Sequence, residues 1–193
     1  MDFYEKLKGF ILEPSKTFDA TKEDTLEDAL KYYVGIAAIF SAFSAVLFAF
    51  ASSMFGSMMG GFGMMLGTGA GIIGAIWLFV TLFILMVISA FIGGAIVHIF
   101  VYLLGGRKGI VKTIIALMYG DTPYLLFGWI PFIGLIAIIW ALVLNVLGIR
   151  QFQELTTERA ILAIIMPFII IGIIVMVVVT AVFMSAIGPG RGY

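Results

Sequence analysis

The sequence predicts an all-α polytopic membrane protein, a bundle of five transmembrane helices with a short amphipathic helix before them and the N-terminus on the cytoplasmic side. Hydrophobic residues make up 63% of the 193-residue chain and charged residues only 11%, whereas soluble domains average about 25% charged residues. The charges are also segregated: residues 1–31 hold five Lys and eight Asp or Glu, and no such residue follows from Tyr32 to Gly106. Because a bilayer core about 30 Å thick needs roughly 20 apolar residues per helix, this tract indicates several spans.

Residues 1–31 are predicted to form a cytoplasmic amphipathic segment. Four apolar residues recur at helical spacing between charged ones, which is typical of a short helix lying on a membrane surface. These four are Phe3, Leu7, Phe10 and Ile11. Pro14 is expected to end this helix because proline disrupts a helix interior.

Five apolar segments are predicted to cross the membrane and to form a membrane domain over residues 32–188. Thr25, with Asp28 three residues later, predicts a capped helix start that leads into the first span. The spans are expected at about 32–52, 72–104, 110–128, 131–149 and 160–187. The second is about 50 Å long at 1.5 Å per residue, so it must tilt, kink or protrude. The uncharged stretch 52–71 is predicted to be a linker, and residues 189–193 a flexible tail.

The charges in the loops predict the orientation of these spans. With five spans, ten of the eleven Lys and Arg residues lie on the N-terminal side of the membrane, which fits the positive-inside rule. An alternative with four spans fuses residues 122–149 into one helix. It places nine of the Lys and Arg residues on the N-terminal side of the membrane and two on the other side. Gly128 can end a helix and Pro131 can begin the next, which favours a hairpin and five spans. We therefore predict a multi-pass cell-membrane protein with its C-terminus outside.

A polar interruption, the sequence YGDTP from Tyr119 to Pro123, lies within the third span. Gly120 can end a helix, Asp121 or Thr122 can cap a new one, and proline fits the first turn of that helix. This pattern predicts a broken helix that faces other helices or a wet cavity, because broken backbone is not tolerated against lipid. Asp121 is then either an N-cap or a proton or cation site.

His98 is the only histidine of the chain and lies in the second span. The second and third spans run antiparallel, so a contact between His98 and Asp121 is one interpretation, and a hydrogen bond from the histidine to a carbonyl or hydroxyl is the other. The polar residues in and near the third span form a candidate functional site, and the glycines and prolines around them mark structural breaks. The polar residues are Asp121, His98, Tyr119 and Thr122, and the breaks are Gly120, Pro123, Gly128 and Pro131.

Several classes of function find no support in the sequence. The chain has no cysteine, which excludes disulfides and thiolate chemistry, and no catalytic constellation, phosphate-binding loop or metal-ligand cluster is recognisable. We therefore predict a protein that is not an enzyme and that has no cofactor. The zero net charge argues against a nucleic-acid partner. Methionines within residues 54–65 can either bind Cu(I) or form a pliable apolar surface.

The later half of the chain resembles the Yip domain family, five-span membrane proteins first known as partners of Rab-type GTPases. The motifs that carry the resemblance lie between His98 and Ala160: YGxTP, GWIP, the helix around Trp140, and LGIxxxxxLTTxxA. Glu13-Pro14 followed by Phe18 resembles the N-terminal pattern of the family. The resemblance implies five spans and a cytosolic N-terminus, and the compact chain is similar to prokaryotic members. Eukaryotic members carry a longer N-terminal region linked to Rab binding, so that binding is not carried over.

Two functions of different classes follow as expectations. The first is a non-enzymatic membrane-organising or partner-recruiting scaffold, in contact with the lipid bilayer and with a protein partner through residues 1–31. The second is a small transporter or channel that uses the break at Gly120–Pro123 together with Asp121. The sequence leaves open whether the chain forms a homo-oligomer.

Overall fold

Eight α-helices form in residues 1–65 and 72–187, the part of the chain described by a computed structural model, with side-chain surroundings described for residues 1–51 and 72–185. They are α1 (Phe3–Leu12), α2 (Pro14–Ala20), α3 (Leu26–Met65), α4 (Ile72–Leu103), α5 (Ile110–Gly120), α6 (Thr122–Phe127), α7 (Ile133–Phe152) and α8 (Thr157–Ile187).

Five segments of this described chain are long and apolar enough to cross a membrane, which confirms the predicted five-span bundle. They are Leu26–Ala51, Ile72–Leu103, Ile110–Phe127, Ile133–Phe152 and Thr157–Ser185. The third span consists of α5 and α6 together. Because a turn at residues 128–132 separates it from α7, the alternative with a single fused helix is excluded.

The predicted linker 52–71 is wrong over its first part, because α3 continues through it as far as Met65. This stretch contains neither proline nor a charged residue. In apolar surroundings the backbone must satisfy its own polar groups, and continuing the helix does so despite the glycines. The methionine side chains of residues 54–65 and the predicted tail, residues 189–193, lie outside what the structure describes.

Local signals at the start of α3 are confirmed. The Thr25 N–H donates to Asp28 Oδ2 at 3.0 Å, and the Asp28 N–H donates to Thr25 Oγ1 at 3.2 Å. This reciprocal pair satisfies two of the N–H groups that have no partner inside the helix. A second capping box, which the sequence analysis did not identify, joins Asp2 and Glu5 at the start of α1.

The helix α5 lies at the centre of the molecule. Its residues from Thr113 to Gly120 are all buried, and it packs against α3, α4 and α7. The approach of α4 depends on Gly94, since a Cβ there would lie 2.6 Å from Ile114 Cγ1. The outward faces of α4, α7 and α8 are exposed and apolar, as expected for surfaces in contact with lipid.

The N-terminal helices pack on this bundle. Pro14 does separate α1 from the next residues, as predicted, and it also begins α2 as its first residue. Phe10 of α1 and Phe18 of α2 are completely buried, with α1 against α6 and α2 against α7. The apolar face of α1 therefore contacts protein, where the sequence suggested only a membrane surface.

Candidate functional site

Asp121 lies at the junction of α5 and α6, but it does not cap a helix. Its backbone is helical (φ −75°, ψ −3°) and its side chain makes no capping hydrogen bond to α6. The helical hydrogen bonds continue on both sides, from the Asp121 N–H to Leu117 O at 2.9 Å and from the Leu125 N–H to Asp121 O at 3.0 Å. The predicted cap is therefore wrong, because the Asp121 carboxylate bonds to Asn145 and not to an N–H group of α6.

Pro123 is the cause of the interruption. It lacks the N–H group that would donate to the carbonyl of Tyr119 in a regular helix. The Thr122 hydroxyl replaces that donor, with Oγ1 at 2.6 Å from Tyr119 O. Tyr32 OH lies 3.0 Å from the same Oγ1, so the tyrosine donates to Thr122 and ties α3 to the kink.

The carboxylate of Asp121 contacts α7 through Asn145. Asn145 Nδ2 donates to Asp121 Oδ1 at 2.9 Å. This contact depends on Gly120, because a Cβ at that position would lie 2.0 Å from Asn145 Oδ1 and 3.0 Å from Asn145 Cα. Asp121 and Asn145 also line a cavity of about 160 Å³ whose walls come from α4, α5, α7 and α8.

His98 belongs to a different cluster, beside the loop between α4 and α5. His98 Nδ1 lies 2.8 Å from Thr113 Oγ1, and Gln153 Nε2 donates to the same hydroxyl at 2.9 Å and to Gly109 O at 2.8 Å. Gln153 Oε1 in turn accepts from the Lys108 N–H at 3.0 Å. Of the two interpretations of His98, the hydrogen bond to a hydroxyl is the one observed, and the structure does not join His98 to Asp121.

Tyr119 forms the third cluster, together with two charged residues that the sequence analysis did not single out. Lys6 Nζ lies 2.6 Å from Asp24 Oδ2 and donates to Tyr119 OH at 3.0 Å, while Tyr119 OH donates to Asp24. The lysine and aspartate side chains are only 8% and 22% exposed. Phe10 stacks on the Tyr119 ring at 4.8 Å between centroids. The spacing of Lys6 from Phe3 and Phe10 places it on the apolar face of α1, which is the signal that identifies it.

A hairpin forms at the GWIP sequence, as predicted, but Pro131 does not begin the next helix. The Gly128 N–H closes α6 by donating to Tyr124 O at 2.7 Å. The fourth span begins two residues after Pro131, and Phe132 precedes it in a left-handed conformation (φ 65°). Trp129 stacks on Phe43 at 4.5 Å, which fixes the hairpin against α3.

The chemistry of these clusters is that of hydrogen bonding and charge pairing. Among residues 1–65 and 72–187, the structure contains no group of three His, Asp or Glu side chains that could hold a metal ion. Asp121 is the one carboxylate that a cavity between the spans exposes in the described chain. It is therefore the residue at which a ligand could meet the interior of the bundle.

Comparison with known proteins supports the resemblance seen in the sequence. No curated protein matches the chain, and no solved structure matches it. The family model of the Yip1 domain matches residues 8–179, which include α2 to α7, most of α8 and the clusters around Asp121 and His98. The chain is therefore a membrane protein of the Yip1 domain family.

Proposed function

We propose that this protein is a non-enzymatic scaffold that organises the membrane around it and recruits a protein partner at the cytoplasmic side. Several polar groups support this function, because they bind one another between helices. Thr122 bonds to Tyr32 and Tyr119, and Lys6 pairs with Asp24. Such contacts fix the arrangement of helices.

The observation that carries the membrane-organising proposal is the unequal length of the spans. α4 and α8 contain 32 and 31 residues, which is about 48 and 46 Å at 1.5 Å per residue. The third span and α7 contain 18 and 20 residues, or about 27 and 30 Å. A bilayer core about 30 Å thick fits the short pair but not the long pair. Because all four pack in one bundle and tilting alone serves only part of this difference, we propose that the surrounding bilayer adapts to the different lengths.

Shortening α8 tests this proposal. Deletion of residues 173–179 removes about two helical turns and so keeps the rest of α8 on its present face. These residues are exposed on all sides in the described structure. Clustering of fluorescently labelled protein is measured by energy transfer in bilayers of increasing acyl-chain length. We expect wild type to cluster in thin bilayers and the deletion variant to cluster less, because its mismatch is smaller.

A length-matched variant provides the control for this deletion. In it, residues 173–179 are replaced by leucines, which changes the sequence but keeps the helix length and its apolar character. We expect this variant to cluster as wild type does. The same dependence on acyl-chain length in wild type and in the deletion variant would refute the role of span length.

The recruiting surface is proposed to be the exposed face of α1 and α2. This face carries charges of both signs, among them Lys8 and the Glu13–Lys16 pair, whose Nζ and Oε2 atoms are 2.6 Å apart. The hydrogen bond from Lys16 lowers the pKa of Glu13 below its usual value. Deleting residues 1–13 would be a poor test, since it also removes the buried Phe10.

Surface substitutions therefore replace the deletion. We expect Lys8→Gln with Lys16→Gln to reduce crosslinking to cytoplasmic partners in cells while the unfolding midpoint stays at the wild-type value, because both side chains are exposed. Lys108→Gln, a similar change on another inner loop, should leave the crosslinks intact. Unchanged crosslinks in the double variant would refute recruitment through this face.

A small transporter or channel is the second candidate function, and the cavity beside Asp121 is the observation that favours it. Flux of protons and common cations into proteoliposomes, measured for wild type and for Asp121→Asn, tests this function. Flux that the substitution abolishes supports transport, and equal flux in protein-free liposomes refutes it.

A further inference from the structure

The cavity at Asp121 has a mixed lining of one charged group, a few polar groups and small or apolar residues. Its lining includes Ser89 and Gly93 of α4, Asp121, Asn145 of α7 and Phe168 of α8. A Cβ added at Gly93 would meet no atom within 4 Å. The volume of about 160 Å³ therefore accommodates an ion with several water molecules, at about 30 Å³ each.

The charge of Asp121 has no counterpart in this cavity. The residues that line it, all within the described chain, include no Lys, Arg or His. Asn145 Nδ2 is a neutral donor and satisfies one lone pair of Oδ1, whereas a carboxylate offers about four acceptor positions. A carboxylate inside a membrane domain is costly unless it is protonated or paired with a positive charge.

Neutral oxygen atoms belong to residues that line this cavity or that lie next to them in the sequence. Ser89 Oγ donates to Met86 O at 2.8 Å, and its hydroxyl oxygen keeps two lone pairs that can accept, with the Tyr33 hydroxyl within hydrogen-bonding reach of one of them. On the α8 side, Pro167 lies between two residues that line the cavity, Ile164 and Phe168. Because proline has no N–H group, the carbonyl of Ala163 lacks its usual helical donor. Oxygen ligands of this kind suit hard cations.

We infer that this cavity binds a small monovalent cation, held by the carboxylate of Asp121 and by neutral oxygens. One carboxylate balances one positive charge, so a divalent ion would remain uncompensated in apolar surroundings. A bound cation would join the third span to α4 and α8, the neighbours that contribute the other walls. The inference concerns binding and does not depend on recruitment of a partner or on transport across the membrane.

Thermal unfolding in detergent at about pH 8, where a carboxylate is normally ionised, tests the inference. Purified protein is compared in NaCl, KCl, NH₄Cl and N-methylglucamine chloride at equal ionic strength. We expect at least one small cation to raise the Tm of wild type, by about 2–5 °C for each tenfold increase in concentration above its Kd. In Asp121→Asn, a change of similar shape that removes the charge, the cation should have no effect.

Two further variants keep the test decisive. Gly93→Leu places a side chain in the cavity while leaving Asp121 in place, and should also abolish the cation effect. Asp24→Asn removes a carboxylate that lies outside this cavity, and the cation should still raise the Tm of this variant. Equal Tm values of wild type in all four salts, or a cation effect that persists in both Asp121→Asn and Gly93→Leu, would overturn the inference.

Discussion

Single residues decide how closely the helices approach one another. Gly120 shows this most clearly, because it allows α5 to pack closely against α7. A Cβ at this position would lie 2.0 Å from Asn145 Oδ1 and 3.0 Å from Asn145 Cα. We expect Gly120→Ala to separate α5 from α7 and to destabilise the protein by about 1–3 kcal/mol, the usual cost of overpacking. The measurement is unfolding of the purified protein in mixed micelles.

Gly93→Ala is the matched control for this prediction. It makes the same change in a helix, but a Cβ there meets nothing within 4 Å. Its effect should be between zero and about 1 kcal/mol of stabilisation, because alanine is the better helix former. Equal destabilisation by both substitutions would show that the contact with Asn145 does not limit the packing.

The pair of Lys6 and Asp24 gives the second prediction at the residue scale. Lys6→Met leaves Asp24 facing Tyr119 without its cation, and breaking a buried pair in this way usually costs 3–5 kcal/mol. Because Asp24 is 22% exposed, we expect about 2 kcal/mol and faster proteolysis of residues 1–20. The double variant Lys6→Met with Asp24→Leu should recover much of that stability. No recovery would show that the pair acts through another contact.

The element scale is best illustrated by the kink between α5 and α6, where one side chain replaces a missing backbone donor. Thr122→Val removes the hydroxyl that donates to Tyr119 O and accepts from Tyr32, so we expect a loss of about 1–3 kcal/mol. In a Pro123→Ala background the new N–H group can donate to Tyr119 O, and the same substitution should then cost less. A double-mutant cycle measures the difference, and additive effects would contradict it.

Elements were also where sequence reasoning worked best. The charge-free tract and the Thr25–Asp28 pair are local signals. The first predicted membrane spans and the second a capped start of α3, and both predictions are confirmed. The predictions that failed concerned side chains whose partners lie far away in the sequence. Lys6 looks like a solvated charge until Asp24 and Tyr119 are placed beside it, and Asp121 looks like a cap until Asn145 is placed beside its carboxylate. Sequence spacing identifies helices, but it does not show which buried polar groups face one another.

At the scale of the whole molecule, the N-terminal helices and the membrane spans form one structure. Phe18 of α2 contacts Phe152 of α7 with ring centroids 5.9 Å apart, and Phe10 of α1 stacks on Tyr119 of α5. These contacts bury the apolar faces of both N-terminal helices and leave their charged faces outward. A partner bound to those charged faces would therefore bind a surface whose position is fixed by the spans.

The side of the membrane on which that surface lies is a separate prediction, and the absence of cysteine from the chain makes it directly testable. Single substitutions Lys16→Cys on α2 and Phe132→Cys in the hairpin introduce one thiol each at exposed positions, the latter 87% exposed. In intact cells, a membrane-impermeant maleimide should label Phe132→Cys, and should label Lys16→Cys only after permeabilisation. The reason is the excess of Lys and Arg on the N-terminal side of the five spans.

A buried position supplies the control, since Leu144→Cys should stay unlabelled in both conditions because Leu144 has no exposed surface. Labelling of Lys16→Cys in intact cells would reverse the proposed orientation. The charged faces of α1 and α2 would then lie outside the cell, and recruitment of a cytoplasmic partner through them would be refuted. The cation inference would survive that result, because it depends only on groups enclosed between the spans.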